Sequence, residues 1–163
     1  MKYTPADDFP YYYDLARHMD CKPLFSSLST FTFLDTISEE KSGHRYAPDK
    51  WSIKQIVGHI TDHERIKMFR AFLLSRRVEV ALWGYDQNLF VDNSCFDDLT
   101  FQDLKTDFFN VRKASISFIE ALSENQLQIK GMAKQHEVTL KDFLKSIIGH
   151  QEHHLNIIKE RYV

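Results

Sequence analysis

A pair of histidines inside an apolar stretch near the C-terminus is the feature that most constrains this chain. The stretch runs from Ile147 to Ile158 and reads IIGHQEHHLNII. Each residue of an α-helix turns the chain by about 100°, so His150 and His154 lie on one face, on the same stripe as Ile147 and Ile158. Because its other members are isoleucines, this stripe should be buried. The helix therefore has to place two imidazoles inside the protein.

Two interpretations of the pair are open from this helix alone. Burying an imidazole costs free energy unless its nitrogens find partners. A divalent metal ion would satisfy both rings, because neutral imidazole is the commonest metal ligand at physiological pH. Alternatively, the rings are ordinary core histidines that bond to backbone or hydroxyl groups. Residues from other helices must decide between the two.

The rest of the chain predicts an all-α protein. Apolar residues recur at intervals of three and four, which is typical of amphipathic helices. Together with a short leading helix around 11–19, the pattern gives four main helices at 24–37, 53–77, 101–122 and 140–158. Four such helices in one domain, 1–163, predict a four-helix bundle. The connection from 78 to 99 is long for a compact bundle, which is typical of a functional segment or of a surface Ω-loop.

Three helix starts carry capping signals. Ser52 and Gln55 match the capping box, in which the serine oxygen and the glutamine side chain satisfy two free N–H groups. Trp51 precedes the cap and should pack on Ile56 as a hydrophobic staple. Thr100 and Thr139 are the expected caps of the last two helices. Residues 126–138 contain a glycine and some alternation, which indicates an extended excursion before the final helix.

Charge and cysteine content exclude several classes of function. The chain has 21 Lys and Arg against 23 Asp and Glu, without a basic block, so we expect no nucleic-acid partner. No apolar run approaches the length of a membrane span, so we expect no membrane partner. Two cysteines, Cys21 and Cys95, cannot build a disulfide framework. The low cysteine content therefore predicts a protein of the reducing cytoplasm.

A third inward-facing histidine strengthens the metal interpretation. His59 lies three residues after Ile56 on the apolar stripe of the second main helix. With His150 and His154 it completes three imidazoles from two helices, the composition of an open, catalytic metal site. The H-E-x-x-H motif of zinc proteases is excluded, because Gln151 stands where that motif needs glutamate.

Neighbouring polar residues have less defined roles. His63, four residues after His59, could join a second metal pair, orient a ligand or be partly exposed. Asp62 and Glu64 could each orient a ligand imidazole or act as a general base, and a surface ion pair is the equal alternative for both. We expect the remaining histidines to be solvated, and they are His18, His44, His136 and His153. Glu152 should face solvent as well.

Two runs of the sequence resemble the signature motifs of the DinB/YfiT-like superfamily. The first is WSIKQIVGHITDHER at 51–65, and the second is GHQEHHL at 149–155. FRA at 69–71 and GYDQ at 84–87 also fit that family's pattern, so the resemblance spans most of the chain. The chain departs from it at His63, where members usually have a small or apolar residue, and at Trp83, where they often have proline.

The resemblance implies a bundle in up-down-down-up order and a divalent metal, nickel or zinc, on three histidines. By motif the ligands are His59, His150 and His154. It implies a metal-dependent hydrolase or a low-molecular-weight thiol transferase, which acts on a small-molecule substrate, for example a thiol, and forms a homodimer. The ion would lower the pKa of a bound water or thiol. The alternatives are a non-catalytic metal- or small-molecule-binding bundle, or a core packed by histidines without metal.

Overall fold

The computed structural model describes residues 2–78 and 84–163, and most of them are helical. Trp83 lies outside the described residues. The helices are α1 Phe9–Ala16, α2 Cys21–Ser26, α3 Ser29–Leu34, α4 Glu39–Ser42, α5 Ile53–Ser75, α6 Gln87–Asp92, α7 Phe101–Glu120, α8 Glu124–Leu127 and α9 Leu140–Arg161. Short 3₁₀ turns lie at Pro5–Asp7 and Phe96–Asp98, and a hairpin of β1 Lys130–Ala133 and β2 His136–Thr139 precedes α9.

Three long helices and one broken helix form a four-helix bundle. Helices α5, α7 and α9 pack on one another, with α1 against α9, α2 against α7 and α9, and α3 against α7. The short helices α1 to α3 therefore stand together in the place of the first bundle helix. The order up, down, down, up is confirmed, as is the long connection between the second and third bundle helices.

The first bundle helix differs from the prediction of one helix over 24–37. The chain leaves helical geometry at Ser27, where ψ is 129°. The hydroxyl of Ser27 bonds to that of Ser29 at 2.9 Å and accepts from the Ser29 backbone N–H at 3.4 Å. Such side-chain bonds compete with the helical ladder, and serine and threonine have modest helix propensity. The apolar periodicity continues across the break, which is why it predicted a single helix.

The predicted caps are confirmed at all three helices. The Ser52 hydroxyl accepts from the Gln55 N–H at 3.0 Å, and the Gln55 side chain accepts from the Ser52 N–H at 3.1 Å. Thr100 and Thr139 each accept from the N–H three residues on. The expected extended excursion is the β1–β2 hairpin, with Lys130 opposite Thr139. Of the helices in the described part of the chain, none combines the length and apolar character needed to cross a membrane.

Two hydrophobic clusters fill the bundle, one at each end of α9. The first contains α9 residues up to Ile148, and the second begins on α9 at Leu155 and includes Ile56 and Ile60 of α5. Trp51 packs against this second cluster, to which Ile56 belongs, and the direct contact between Trp51 and Ile56 stays a prediction. The α9 histidines lie between Ile148 and Leu155, so a polar layer separates the two apolar ones.

Candidate metal centre

Three imidazoles from two helices meet in the polar layer. His59 is on α5, and His150 and His154 are one turn apart on α9. Their exposed fractions are 2%, 3% and 8%. One nitrogen of each ring can be chosen so that all three lie within 4.8 Å of one another. The structure thus brings together the residues that the two sequence motifs predict as ligands.

The three rings converge through their Nε2 atoms. His150 Nε2 lies 3.1 Å from His59 Nε2 and 3.2 Å from His154 Nε2. Two nitrogens bound to one tetrahedral zinc, each at about 2.0–2.1 Å, stand about 3.3 Å apart. A small outward movement of the rings would therefore give ligand geometry.

Hydrogen bonding alone does not satisfy this cluster. The Nε2 of a neutral imidazole either donates one proton or accepts through one lone pair, so His150 Nε2 cannot bond well to both neighbours. Within the described residues, His150 Nδ1 is buried without a hydrogen-bond partner. The alternative of core histidines bonded to backbone or hydroxyl groups does not fit His150. A cation at the point of convergence would bind all three Nε2 lone pairs.

Burial keeps the three rings neutral. It lowers the pKa of His59 to about 4, with a smaller contribution from the charge of His153. Burial likewise holds the pKa of His150 and His154 well below the usual histidine value. Metal ligation requires the neutral ring, so at neutral pH no proton has to be displaced. The cluster and its chemistry suggest a divalent metal ion.

Aromatic rings surround the cluster. Trp51 lies against His59 with ring centroids 4.9 Å apart, and Tyr12 of α1 meets His150 edge-on at 4.9 Å. Tyr12 comes this close because Gly149 has no side chain: a Cβ there would lie 1.7 Å from the Tyr12 carbonyl oxygen. The glycine of the second motif thus permits α1 to cover the histidines.

His63 is buried beside the cluster and is not one of its three convergent ligands. Its ring stacks on that of His150, with centroids 3.5 Å apart and an interplanar angle of 6°. Its Nδ1 lies 2.9 Å from the Tyr85 hydroxyl. Of the roles considered for His63, this placement favours orienting a ligand ring.

The two acidic candidates lie in ion pairs. Asp62 is half-buried and accepts from Arg65 at 3.1 Å, and burial raises its pKa. Glu64 is 1% exposed and pairs with Arg112 of α7 at 2.7 Å, while the Ser115 hydroxyl donates to it at 2.7 Å. Among the described contacts, neither carboxylate bonds to a cluster imidazole. Their catalytic role stays a prediction.

Sequence reasoning missed a buried polar network behind the cluster. Arg112 donates to Glu64 and also to the Gln151 side chain at 2.5 Å, and Gln151 donates to Thr30 of α3 at 2.8 Å. The signal was present, because Arg112 follows Phe108 by four residues on the buried face of α7. A charge on such a face requires a partner.

The other histidines are divided between solvent and the α1 interface. His18 and His44 are exposed, as predicted. His136 and His153 are half-buried, and His153 Nδ1 lies 3.0 Å from the Tyr11 hydroxyl. Glu152 is also half-buried. The prediction of solvated positions was wrong for these three. Rings of α1 cover the two histidines, Phe9 against His136 and Tyr11 against His153.

Comparison with known proteins identifies a family and similar solved structures. The model of the DinB superfamily matches residues 29–158. Among curated proteins, none matches the chain. YfiT from Bacillus subtilis, described as a probable metal-dependent hydrolase with an unusual four-helix bundle topology, superposes with a TM-score of 0.71 at 13% identity. The match covers 98% of this chain and 89% of YfiT, and at this identity it shows a shared fold.

Proposed function

The chain belongs to the DinB superfamily, and from that premise we propose that it is a metal-dependent enzyme acting on a small molecule, as a hydrolase or as a low-molecular-weight thiol transferase. Its ion is nickel or zinc, held by His59, His150 and His154. The observation that carries the proposal is the convergence of three buried, neutral Nε2 atoms that hydrogen bonds cannot satisfy. The description of YfiT agrees with it.

The residues of this chain hold and orient the site. When bound, a divalent ion supplies Lewis acidity and lowers the pKa of a coordinated water or thiol. The three imidazoles present lone pairs from two rigid helices, so little ordering is needed on binding. The rings of Trp51 and Tyr12 fix two of the imidazoles and keep bulk water away. Of the two carboxylate candidates, Asp62 is the better proton acceptor, because Glu64 is engaged by Arg112 and Ser115.

Metal content tests the site directly. Purified wild-type protein should bind about one equivalent of nickel or zinc after chelation and reloading. His59→Ala, His150→Ala and His154→Ala should each reduce that content severely, since each removes one of three ligands. His44→Ala, which changes an exposed histidine, is the matched control and should bind as wild type does. Stoichiometric metal that survives all three ligand substitutions would remove the site.

Activity tests the chemistry. Ester and amide hydrolysis and thiol conjugation should be measured with and without a chelator, and then after nickel or zinc is restored. Turnover that disappears on chelation and returns with metal is expected. Turnover that persists in the metal-free protein would contradict the mechanism. A stoichiometrically loaded protein that is silent across the panel would favour the non-catalytic binding module.

We also propose that the protein acts as a homodimer in the cytoplasm, with 1–163 as one domain. Phe69 and Phe72 on α5 are 59% and 43% exposed, and Phe109 on α7 is 40% exposed. Burying such rings against a second copy would stabilise a dimer. Cys21 and Cys95 are both free thiols, which a reducing compartment preserves.

A further inference from the structure

A stripe of polar side chains on α5 continues past the histidine cluster. His59, His63 and Lys67 follow one another at intervals of four, so they lie on one face of the helix. Their partners on α9 run in the opposite direction, so the two helices are antiparallel. The line along which these two polar faces meet is called the groove below. The facing pairs are His59 with His154, His63 with His150, and Lys67 with Phe143.

Two tyrosines border this groove. The Tyr85 hydroxyl bonds to His63, and the Tyr12 ring lies against His150. Burial raises the pKa of Tyr12 to about 12 and also raises the pKa of Tyr85, so both hydroxyls stay protonated at neutral pH. The groove therefore offers aromatic faces for an apolar body and hydroxyl groups for hydrogen bonds.

Lys67 is a cation of this groove that pairs with none of the carboxylates in the described part of the chain. Its side chain is half-buried, with Nζ 5.4 Å from the centre of the Phe143 ring, and within residues 2–78 and 84–163 it forms no ion pair with a carboxylate. Burial lowers the pKa of Lys67 to about 8, which leaves the ammonium charged at neutral pH. The negative charge of Asp8 counteracts burial and raises the pKa of Lys67, but the Asp8 carboxylate forms its own ion pair with Lys134 at 2.6 Å.

The charges that face this region are predominantly positive. In addition to burial, the positive charges of Lys67 and Arg70 lower the pKa of His63. Those of Arg70 and Lys134 likewise add to the effect of burial and lower the pKa of Lys67. In residues 2–78 and 84–163, the acids that act on Lys67, Tyr12 and Tyr85 are Asp8, which is paired with Lys134, and Asp62, which is paired with Arg65. A recess with this balance attracts anions, and a bound divalent ion would add to it.

We propose that Lys67 binds an anionic oxygen group of the substrate, a carboxylate or a phosphate, in the groove between α5 and α9. Eight residues separate Lys67 from His59, which is about 12 Å along the helix axis. The substrate is thus a small molecule with an anionic group at one end, an apolar middle portion beside Tyr12 and Tyr85, and its reacting bond at the three histidines. The position of the reacting bond rests on the proposed function, whereas the anion subsite is defined by its own contacts.

The test measures binding to metal-free protein, so that anions cannot bind to a metal ion instead. The probes are hydrocinnamate, phenyl phosphate and the neutral hydrocinnamamide, titrated into isotopically labelled protein and followed by backbone chemical shifts. Wild type should bind both anions about tenfold to a hundredfold more tightly than the amide, as charged hydrogen bonds do. The two anions separate carboxylate from phosphate recognition.

Substitutions of Lys67 test the subsite, and a substitution of Lys113 is the control. Lys67→Met should reduce the affinity for the anions to that of the amide, while Lys67→Arg should retain the preference. Lys113→Met is matched, because Lys113 also lies over a phenylalanine ring, Phe109, at 5.6 Å, but is exposed on α7. It should bind the probes as wild type does. Thermal unfolding shows whether each variant is folded. If Lys67→Met does not fold, Lys67→Gln, which also removes the charge but keeps a polar end, should likewise lose the preference for the anions.

Each outcome bears on one proposal. Anion binding that is unchanged in Lys67→Met, equal affinity for all three probes, or no binding by wild type would overturn the subsite. Metal content is measured on separate aliquots that are reloaded with nickel or zinc, and it should be the same in Lys67→Met as in wild type. If wild type takes up no metal, the proposed function fails, while the titration of the metal-free protein still decides the subsite.

Discussion

Replacing Arg112 with methionine should destabilise the bundle by breaking its buried ion pair. Arg112 is 2% exposed and donates to both carboxylate oxygens of Glu64 and to Gln151, so it links α7 to α5 and α9. Its guanidinium lies over the rings of Phe25 and Phe108, with Cζ 5.1 Å and 5.3 Å from their centres, and a methionine side chain can keep these apolar contacts. The substitution therefore leaves packing largely intact and leaves Glu64 as a buried, unpaired charge.

The magnitude follows from that unpaired charge. Removing one partner of a buried pair costs roughly 3 to 5 kcal/mol. For a chain of this length, each kcal/mol lowers the midpoint of thermal unfolding by about 2–4 °C, so a decrease of about 6 to 20 °C is expected. Adding Glu64→Gln to the same protein removes the charge, and the double variant should regain at least half of the loss.

Urea unfolding followed by circular dichroism measures the free energy of unfolding of each variant, and thermal unfolding followed by the same signal gives the midpoint. The matched control is Lys130→Met, which removes the exposed pair of Lys130 with Glu137 and should leave the unfolding midpoint unchanged. The reasoning is refuted if Arg112→Met is as stable as wild type. It is equally refuted if the double variant is no more stable than Arg112→Met, because the cost would then come from packing and not from charge.

Three further outcomes are expected. The free energy of unfolding of the metal-free protein should decrease as pH falls from about 6.5 to about 4. In this range His59 takes up a proton in the unfolded chain but not in the folded one, where its pKa is lowered. A free energy of unfolding from urea titration that does not change with pH would contradict this. Gly149→Ala should destabilise the protein and detach α1, which would increase the hydrogen exchange of the α1 amides. Gly84→Ala, which has open space around it, should have neither effect. Protected α1 amides in Gly149→Ala would show that the contact with Tyr12 is wrong. Phe69→Glu should convert a dimer to a monomer in sedimentation, whereas Lys50→Glu, an exposed position in the loop before α5, should leave the dimer intact. A monomeric wild type would remove the proposed dimer.

Local signals in the sequence predicted much of the fold. The capping box at Ser52 and the caps at Thr100 and Thr139 depend on residues three apart, so they can be read without knowledge of the tertiary structure. The stripe that holds His59 and the one that holds His150 and His154 are equally local. Their meeting between helices follows from the burial of both stripes in one bundle.

What could not be predicted depends on contacts between distant segments. The partner of Arg112 is 48 residues away on α5, and the stacking of His63 on His150 requires the relative positions of two helices. Tyr12 and Tyr85 come from segments with weak periodicity, so nothing in the sequence placed them beside the histidines. The break at Ser27 was missed because hydroxyl groups, rather than the apolar pattern, end that helix.

The polar layer between the two hydrophobic clusters implies a trade-off between robustness and function. Leucine side chains in place of His59, His150 and His154 would join the two clusters into one continuous core and would remove three rings that are costly to bury. Selection for folding alone would favour that replacement, so the layer is a weak point that the metal-free chain tolerates. Occupancy by a cation would turn the same weak point into a cross-link between α5 and α9.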